Sequence, residues 1–326
     1  MKTNFYDMEK DGVTQSLIAM WLSCREKARL YLEGWDSKYH KETLIDGSIG
    51  HTVFELAYTD IKEGKLKDVP LMQETRKYVD EAETKWYEEN LKASAEARVM
   101  VERACAVMEV MLPLYFDYWK DDFKKKEWLS LEEKTLMKFP ITDKYGKKTI
   151  IPVKGKKDGT FMSAKGVWLF ETKFKSQIDE SGLFDTLGFE TQVMMYLLQT
   201  WGNTNNPPPR GCLYNVVRRA SLRQKVKESI PAFAARVKKD IEKRPDFYFL
   251  RLQNPITKTD LLKFKDEFEG LLKDLWNWWN SNTPHYKNTY SCIGKYGRCL
   301  FLPVCSKQDY SSLTKRKTVF KELEEV

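Results

Sequence analysis

Apolar residues recur at helical spacing between positions 14 and about 33, at Leu17, Met20, Trp21, Cys24, Ala28 and Tyr31. This predicts one amphipathic helix with Cys24 on its buried side. A second helix, carrying His51, is expected from about 48 to 60, behind the turn formers Asp46 and Gly47. From about 71 to 120 the chain is rich in Ala, Glu, Met and Arg and reads as two long helices, the second kinked or interrupted at Pro113. The period then shortens. Segments 128–139, 149–161 and 166–174 lean to β structure and are separated by Gly, Pro, Asp and Lys clusters. A helix over about 183–200, the loop GNTNNPPPR and a strand over 212–219 follow. A helix near 232–243, the extended piece DFYFLRL and a helix from about 258 to 280 complete the pattern, the last ending in Trp276, Trp278 and Trp279.

Strands lie between helices, and the chain shows no internal repeat and no linker. The expected fold class is therefore α/β, one domain over 1–326 with a helical insertion over about 62–125, a core over about 126–256, and a C-terminal helix with a cysteine-rich segment over about 257–310.

Composition narrows the setting. With 42% hydrophobic and 31% charged residues the chain is too apolar to be disordered. No stretch approaches the run of about 18 apolar residues that a membrane helix needs, and the opening MKTNFYDMEKDG lacks the apolar centre of a signal peptide. A cytoplasmic location without membrane contact is expected. In that compartment the six cysteines are core residues, reactive thiols or metal ligands rather than disulfides. A net charge of +8 favours a polyanionic partner without specifying one.

The chemistry concentrates in KGKKDGTFMSAKGVWLFETKF. If Ser163 to Gly166 form a turn centred on Ala164 and Lys165, Asp158 falls directly across a hairpin from Glu171. Opposed residues have β-carbons about 5 Å apart. Two carboxylates at that spacing repel unless a cation lies between them, which suits Mg²⁺ or Mn²⁺. Strand alternation puts Val167, Leu169, Glu171 and Lys173 on one face, apolar at first and charged at its far end. A lysine two residues beyond a metal-binding carboxylate can hold or help deprotonate an attacking water, and can neutralise charge building on a phosphate.

Gly155-x-x-Asp158 followed by Glu171-x-Lys173 resembles the signature of the PD-(D/E)XK nucleases. Upstream, GSIGHTVFE resembles the helix on which the RecB-like branch carries a metal-binding histidine, here His51. Downstream, FETQVMMYLL resembles that branch's Q-x-x-x-Y motif, here Gln192 and Tyr196. The resemblance implies a restriction-endonuclease-like core, a central mixed sheet flanked by helices. It implies that His51, Asp158, Glu171 and the backbone carbonyl of Thr172 hold Mg²⁺ or Mn²⁺, with a nitrogen ligand favouring manganese somewhat. Lys173 would then position the nucleophilic water, and Gln192 and Tyr196 would steady the lysine or bind the DNA strand.

Many RecB-like nucleases use one cysteine before these motifs and three after them to hold a 4Fe-4S cluster. Cys24 with Cys292, Cys299 and Cys305 has that layout, although six residues separate Cys292 from Cys299 where the family's usual spacing is shorter. Structural zinc would accept the same four thiolates. Buried thiols without a ligand describe Cys105 and Cys212 better. Lys154, Lys156, Lys157, Lys175, Arg218 and Arg219 are the expected contacts to a DNA backbone, and the three tryptophans are stacking platforms, core, or cover for the cluster. The activity implied is a DNA exonuclease of recombination, repair or phage DNA processing, acting on single strands or free ends, in the host cytoplasm if a phage encodes it. A CRISPR-adaptation or host-defence nuclease working with a partner, and a non-catalytic DNA-binding protein, are the other two readings.

Overall fold

The computed structural model describes residues 4–39, 42–143, 145–202, 207–281, 285–294 and 297–323. Thr14 opens α1 (Gln15–Ser23) by accepting the Leu17 N–H on its hydroxyl. The single helix expected to reach 33 is broken at Cys24, whose extended backbone (φ −163°, ψ 123°) separates α1 from α2 (Arg25–Leu32). After β1 (Trp35–Ser37), α3 (Glu42–Lys62) begins earlier than expected and takes Asp46 and Gly47 into the helix. Next come α4 (Met72–Glu89) and α5 (Ala95–Tyr118), which runs on through Pro113. The three expected strands are β2 (Glu127–Thr142), β3 (Lys148–Ser163) and β4 (Gly166–Lys175).

Where one helix was expected over 183–200 there are two, α6 (Glu180–Thr186) and α7 (Thr191–Trp201), because Glu190 caps α7 by accepting the Val193 N–H. The loop expected after α7 lies partly outside the described residues, at 203–206. Then follow β5 (Gly211–Arg218), α8 (Ile230–Lys243), α9 (Pro245–Tyr248), β6 (Phe249–Pro255) and α10 (Lys258–Asn280). The start of DFYFLRL is helical rather than extended, since Pro245 suits a helix's first turn. Short pieces end the chain: β7 (Ile293–Gly294), β8 (Gly297–Arg298), α11 (Leu302–Lys307) and β9 (Leu313–Lys315).

The protein is mixed α/β. Its central sheet has the order β2-β3-β4-β5-β6, with β4 and β5 parallel and every other pair antiparallel. One face packs Ile151, Val153, Leu169 and Val216 against α1, α7 and α10. The other packs Phe161, Trp168, Phe170 and Val217 against α3, α4, α5 and α8. Helices therefore cover both sides of the sheet, as burial of a mixed sheet with a parallel pair requires. A separate small core joins the chain's two ends: β1 pairs with β9, and Leu30 packs on Phe301, Val304 and Leu313. Among the described residues, no helix is long and apolar enough to cross a membrane.

Candidate metal centre

The hairpin turn is as the residues suggest, with Ser163 opposite Gly166 and the β3–β4 ladder running to Gly159 opposite Phe170. Asp158 and Glu171 are next in register, and there the ladder gives way. The Thr172 N–H donates to Asp158 Oδ2 at 2.6 Å, so a side chain takes the place of a strand carbonyl. On its other side β3 is also irregular: Glu133 pairs with Lys157 and Leu131 with Gly159, while Glu132 between them has φ +47°. A left-handed residue here reverses the alternation of side chains. On β3, Lys157 points to α7 as Val153 and Gly155 do, its ammonium donating to Thr200 Oγ1 at 3.3 Å, whereas Phe161 packs into the opposite core.

Asp158 and Glu132 both lie on the side of the sheet that α3 covers. Asp158 Oδ1 lies 3.7 Å from His51 Nδ1, and one donor atom each from His51, Glu132 and Asp158 fall within 4.8 Å of one another. Glu132 was not among the expected ligands. The doubled Glu132-Glu133 opposite KGKKD was its one trace in the sequence, and strict alternation hid it.

Beside this cluster, Glu171 is buried with Leu169 on the face covered by α7. Its Oε1 accepts from Lys173 Nζ at 2.6 Å and from Gln192 Nε2 at 2.9 Å. Lys173 also donates to Gln192 Oε1 at 3.0 Å, and Gln192 Nε2 lies 3.5 Å from the Tyr196 hydroxyl. Glu171 Oε2 is buried without a hydrogen-bond partner. Burial pushes the Glu171 carboxyl up to about 7, with Lys173 opposing and Asp158 adding to the shift. Burial and the Asp158 charge push Glu132 up to about 8 against the pull of Lys156. Burial alone would lower the Lys173 pKa, but Glu171 and Asp158 outweigh it and hold the ammonium protonated. Crowded carboxylates, an imidazole nitrogen and an orphaned carboxylate oxygen are a donor set that fits a hard divalent cation.

The expected DNA contacts divide. Lys157 is corrected: it is 3% exposed, held between Thr200 and Glu133, and out of reach of a backbone phosphate. Lys156 pairs with Glu132. Lys175 lies over the Tyr214 ring, and Arg218 stacks on Phe247 while donating to the Phe247 carbonyl. Lys154 is half-buried beside the N-terminal segment, to which its N–H donates. Arg219, 3.6 Å from Asp46, lines with Arg103, Arg223 and Phe174 a cavity of about 740 Å³ at the carboxyl ends of β4 and β5. Trp276 and Trp279 are core, and Trp278 packs against Trp21 and His285.

The cysteines form no disulfide among the described residues. Cys105 and Cys212 are buried in separate cores, and burial pushes the Cys105 thiol up to about 12. The other four lie on segments that meet where the two ends of the chain pack together. The break at Cys24 receives residues 288–292: the Asn288 N–H donates to Cys24 Sγ, the Asn288 amide and the Ser291 hydroxyl donate to the Ser23 carbonyl, and the Cys292 thiol turns back to the Asn288 carbonyl. The Cys299 N–H donates to the Cys292 carbonyl, and Cys299 and Cys305 share one small core. Burial raises the Cys305 thiol, and Cys299 and Cys24 add to the shift. No three of these sulfurs lie within 4.8 Å of one another.

Compared with models of known protein families the chain matches none, and no curated protein matches it in sequence.

Proposed function

We propose that the chain is a metal-dependent deoxyribonuclease of the RecB-like PD-(D/E)XK type, an exonuclease serving recombination, repair or phage DNA processing. What carries this reading is the convergence, from three separate elements, of His51, Glu132 and Asp158 beside the Glu171–Lys173–Gln192 chain, which two further elements supply. The five-stranded mixed sheet between helical layers is compatible with the restriction-endonuclease-like core. His51, Asp158, Glu171 and the Thr172 carbonyl would hold Mg²⁺ or Mn²⁺, with Glu132 in reach. Such an ion, when bound, activates a water and takes up charge developing on the scissile phosphate.

The side chains do the rest. Lys173, whose ammonium Glu171 and Asp158 hold protonated, would orient the water or a phosphate oxygen as a hydrogen-bond donor. Gln192 fixes the ammonium by bridging Lys173 and Glu171, and Tyr196 backs Gln192. Burial of Glu171 excludes bulk water and strengthens each of these contacts. In the same reading Cys24, Cys292, Cys299 and Cys305 hold a 4Fe-4S cluster that clasps the two ends of the chain.

The test is digestion of end-labelled single- and double-stranded DNA by anaerobically purified protein, with Mg²⁺ or Mn²⁺, alongside a visible absorption spectrum. Cleavage should need the metal, and Asp158→Ala should lower it by about a hundredfold or more. Wild-type protein inert on every substrate would overturn the enzyme, and a colourless preparation would overturn the cluster.

A further inference from the structure

Behind β4 lies a set of buried polar side chains that neither the metal centre nor the cysteines account for. Asp122, just after α5, is fully buried. It accepts from the Tyr58 hydroxyl at 2.6 Å, from Arg251 Nη1 at 2.7 Å and from Lys126. Arg251, on β6, also donates to the Tyr115 hydroxyl at 2.7 Å and, through Nε, to Asn215 Oδ1 at 3.1 Å. Asn215, on β5, is fully buried and donates its amide to Thr172 Oγ1 at 3.2 Å. The Thr172 backbone N–H then donates to Asp158 Oδ2. Hydrogen bonds thus run from the end of α5, through β6 and β5, to the Thr172 hydroxyl on β4, and the backbone N–H of that same residue holds a carboxylate of the candidate metal centre.

Stability alone is a poor reason for this arrangement. Burying an ion pair costs as much as it returns, and apolar residues of the same volume would serve as well among the surrounding aromatic rings of Phe54, Phe116, Trp128 and Phe170. Its distinctive property is direction. A planar guanidinium held by Asp122 and Tyr115 presents its Nε–H along one line. An Asn215 whose oxygen accepts that hydrogen must aim its amide donors the other way, at Thr172. The Thr172 side chain is therefore fixed at the point where β3 leaves the ladder and β4 loses backbone support on that side.

We infer that Arg251 and Asn215 are positioning residues whose chain of hydrogen bonds from Asp122 to Thr172 sets the backbone of β4 at the metal centre. This rests on the metal-dependent reading above. It predicts that the divalent ion is sensed at Arg251, although Arg251 is no ligand.

The experiment is titration of the full-length protein with Mn²⁺, followed by electron paramagnetic resonance of the unbound ion. The deciding variant is Thr172→Val, which keeps the shape, the strand preference, the N–H and the carbonyl and removes only the hydroxyl that Asn215 reaches. Its Mn²⁺ affinity should fall about tenfold or more, as for other outer-shell partners of a metal ligand, while its near-ultraviolet circular dichroism stays that of the wild type. Arg251→Lys, which keeps a charge for Asp122 but cannot also reach Asn215, should show the same loss. Wild-type affinity in Thr172→Val would overturn the inference and leave the chain a packing device. A wild-type protein that takes up no Mn²⁺ would instead overturn the metal-centre reading, and the inference with it.

Discussion

Glu171 has two donors on one carboxylate oxygen and none on the other, so the groups around it compensate its charge only in part. A pH dependence follows for the metal-free protein. In the fold Glu171 titrates near 7 and Glu132 near 8, each pushed up first by burial, whereas in the unfolded chain both titrate near the ordinary glutamate value of about 4.3. Between those limits the folded state holds protons that the unfolded state has released, so stability falls as pH rises. Thermal melting in the presence of a chelator should therefore decline from about pH 5 to about pH 8 in this way. Glu132→Gln should flatten that decline, and a melting temperature that does not drop across the window would show that these carboxylates are not raised. His51, Asp158, Glu171, Lys173, Gln192 and Tyr196 were legible in the sequence as motif residues. Glu132 was not, since its place depends on one left-handed backbone angle that no side-chain pattern reports.

The same contrast holds for whole elements. The first three strands were read to within a few residues because β-leaning segments bounded by Gly, Pro, Asp and Lys clusters mark them even where both faces are covered. The break at Cys24 was invisible because the apolar stripe of α1 continues into α2 across it. Gly155 belongs to the motif for a reason that only the packing of α7 supplies: a β-carbon there would lie 2.7 Å from the Tyr196 ring and 3.0 Å from the Gln199 amide oxygen. Gly155→Ala should push α7 off β3, carrying Gln192 from Glu171, at a cost of about 1–3 kcal/mol, seen as a lower melting temperature together with weaker metal-dependent cleavage. Gly47 is the opposite case. It lies within α3, and a β-carbon added there would meet nothing within 4 Å, so Gly47→Ala should raise stability by about 1 kcal/mol or slightly less in denaturant unfolding. No gain would mean that α3 starts nearer position 48, as the turn formers had suggested.

At the scale of the molecule, the chain's ends are tied by devices of modest strength: the short β1–β9 pair, a small core around Leu30, and the turn at 288–292 docked on the break at Cys24. A cluster ligated by Cys24 and by Cys292, Cys299 and Cys305 would close a loop of most of the chain's length. Constraints that close long loops remove the most entropy from the unfolded state, worth on the order of 4 kcal/mol for a covalent link of this kind. Cys299→Ser should therefore abolish visible absorption, lower the melting temperature and expose Lys307, Lys315 and Arg316 to trypsin. The metal centre should be spared, because α1 packs on one face of the sheet and α3, with His51, on the other. Mn²⁺ titration of Cys299→Ser should therefore match the wild type so long as the sheet stays folded. If instead Mn²⁺ binding vanished with the colour while the far-ultraviolet circular dichroism was unchanged, the two centres would be coupled through the sheet rather than independent.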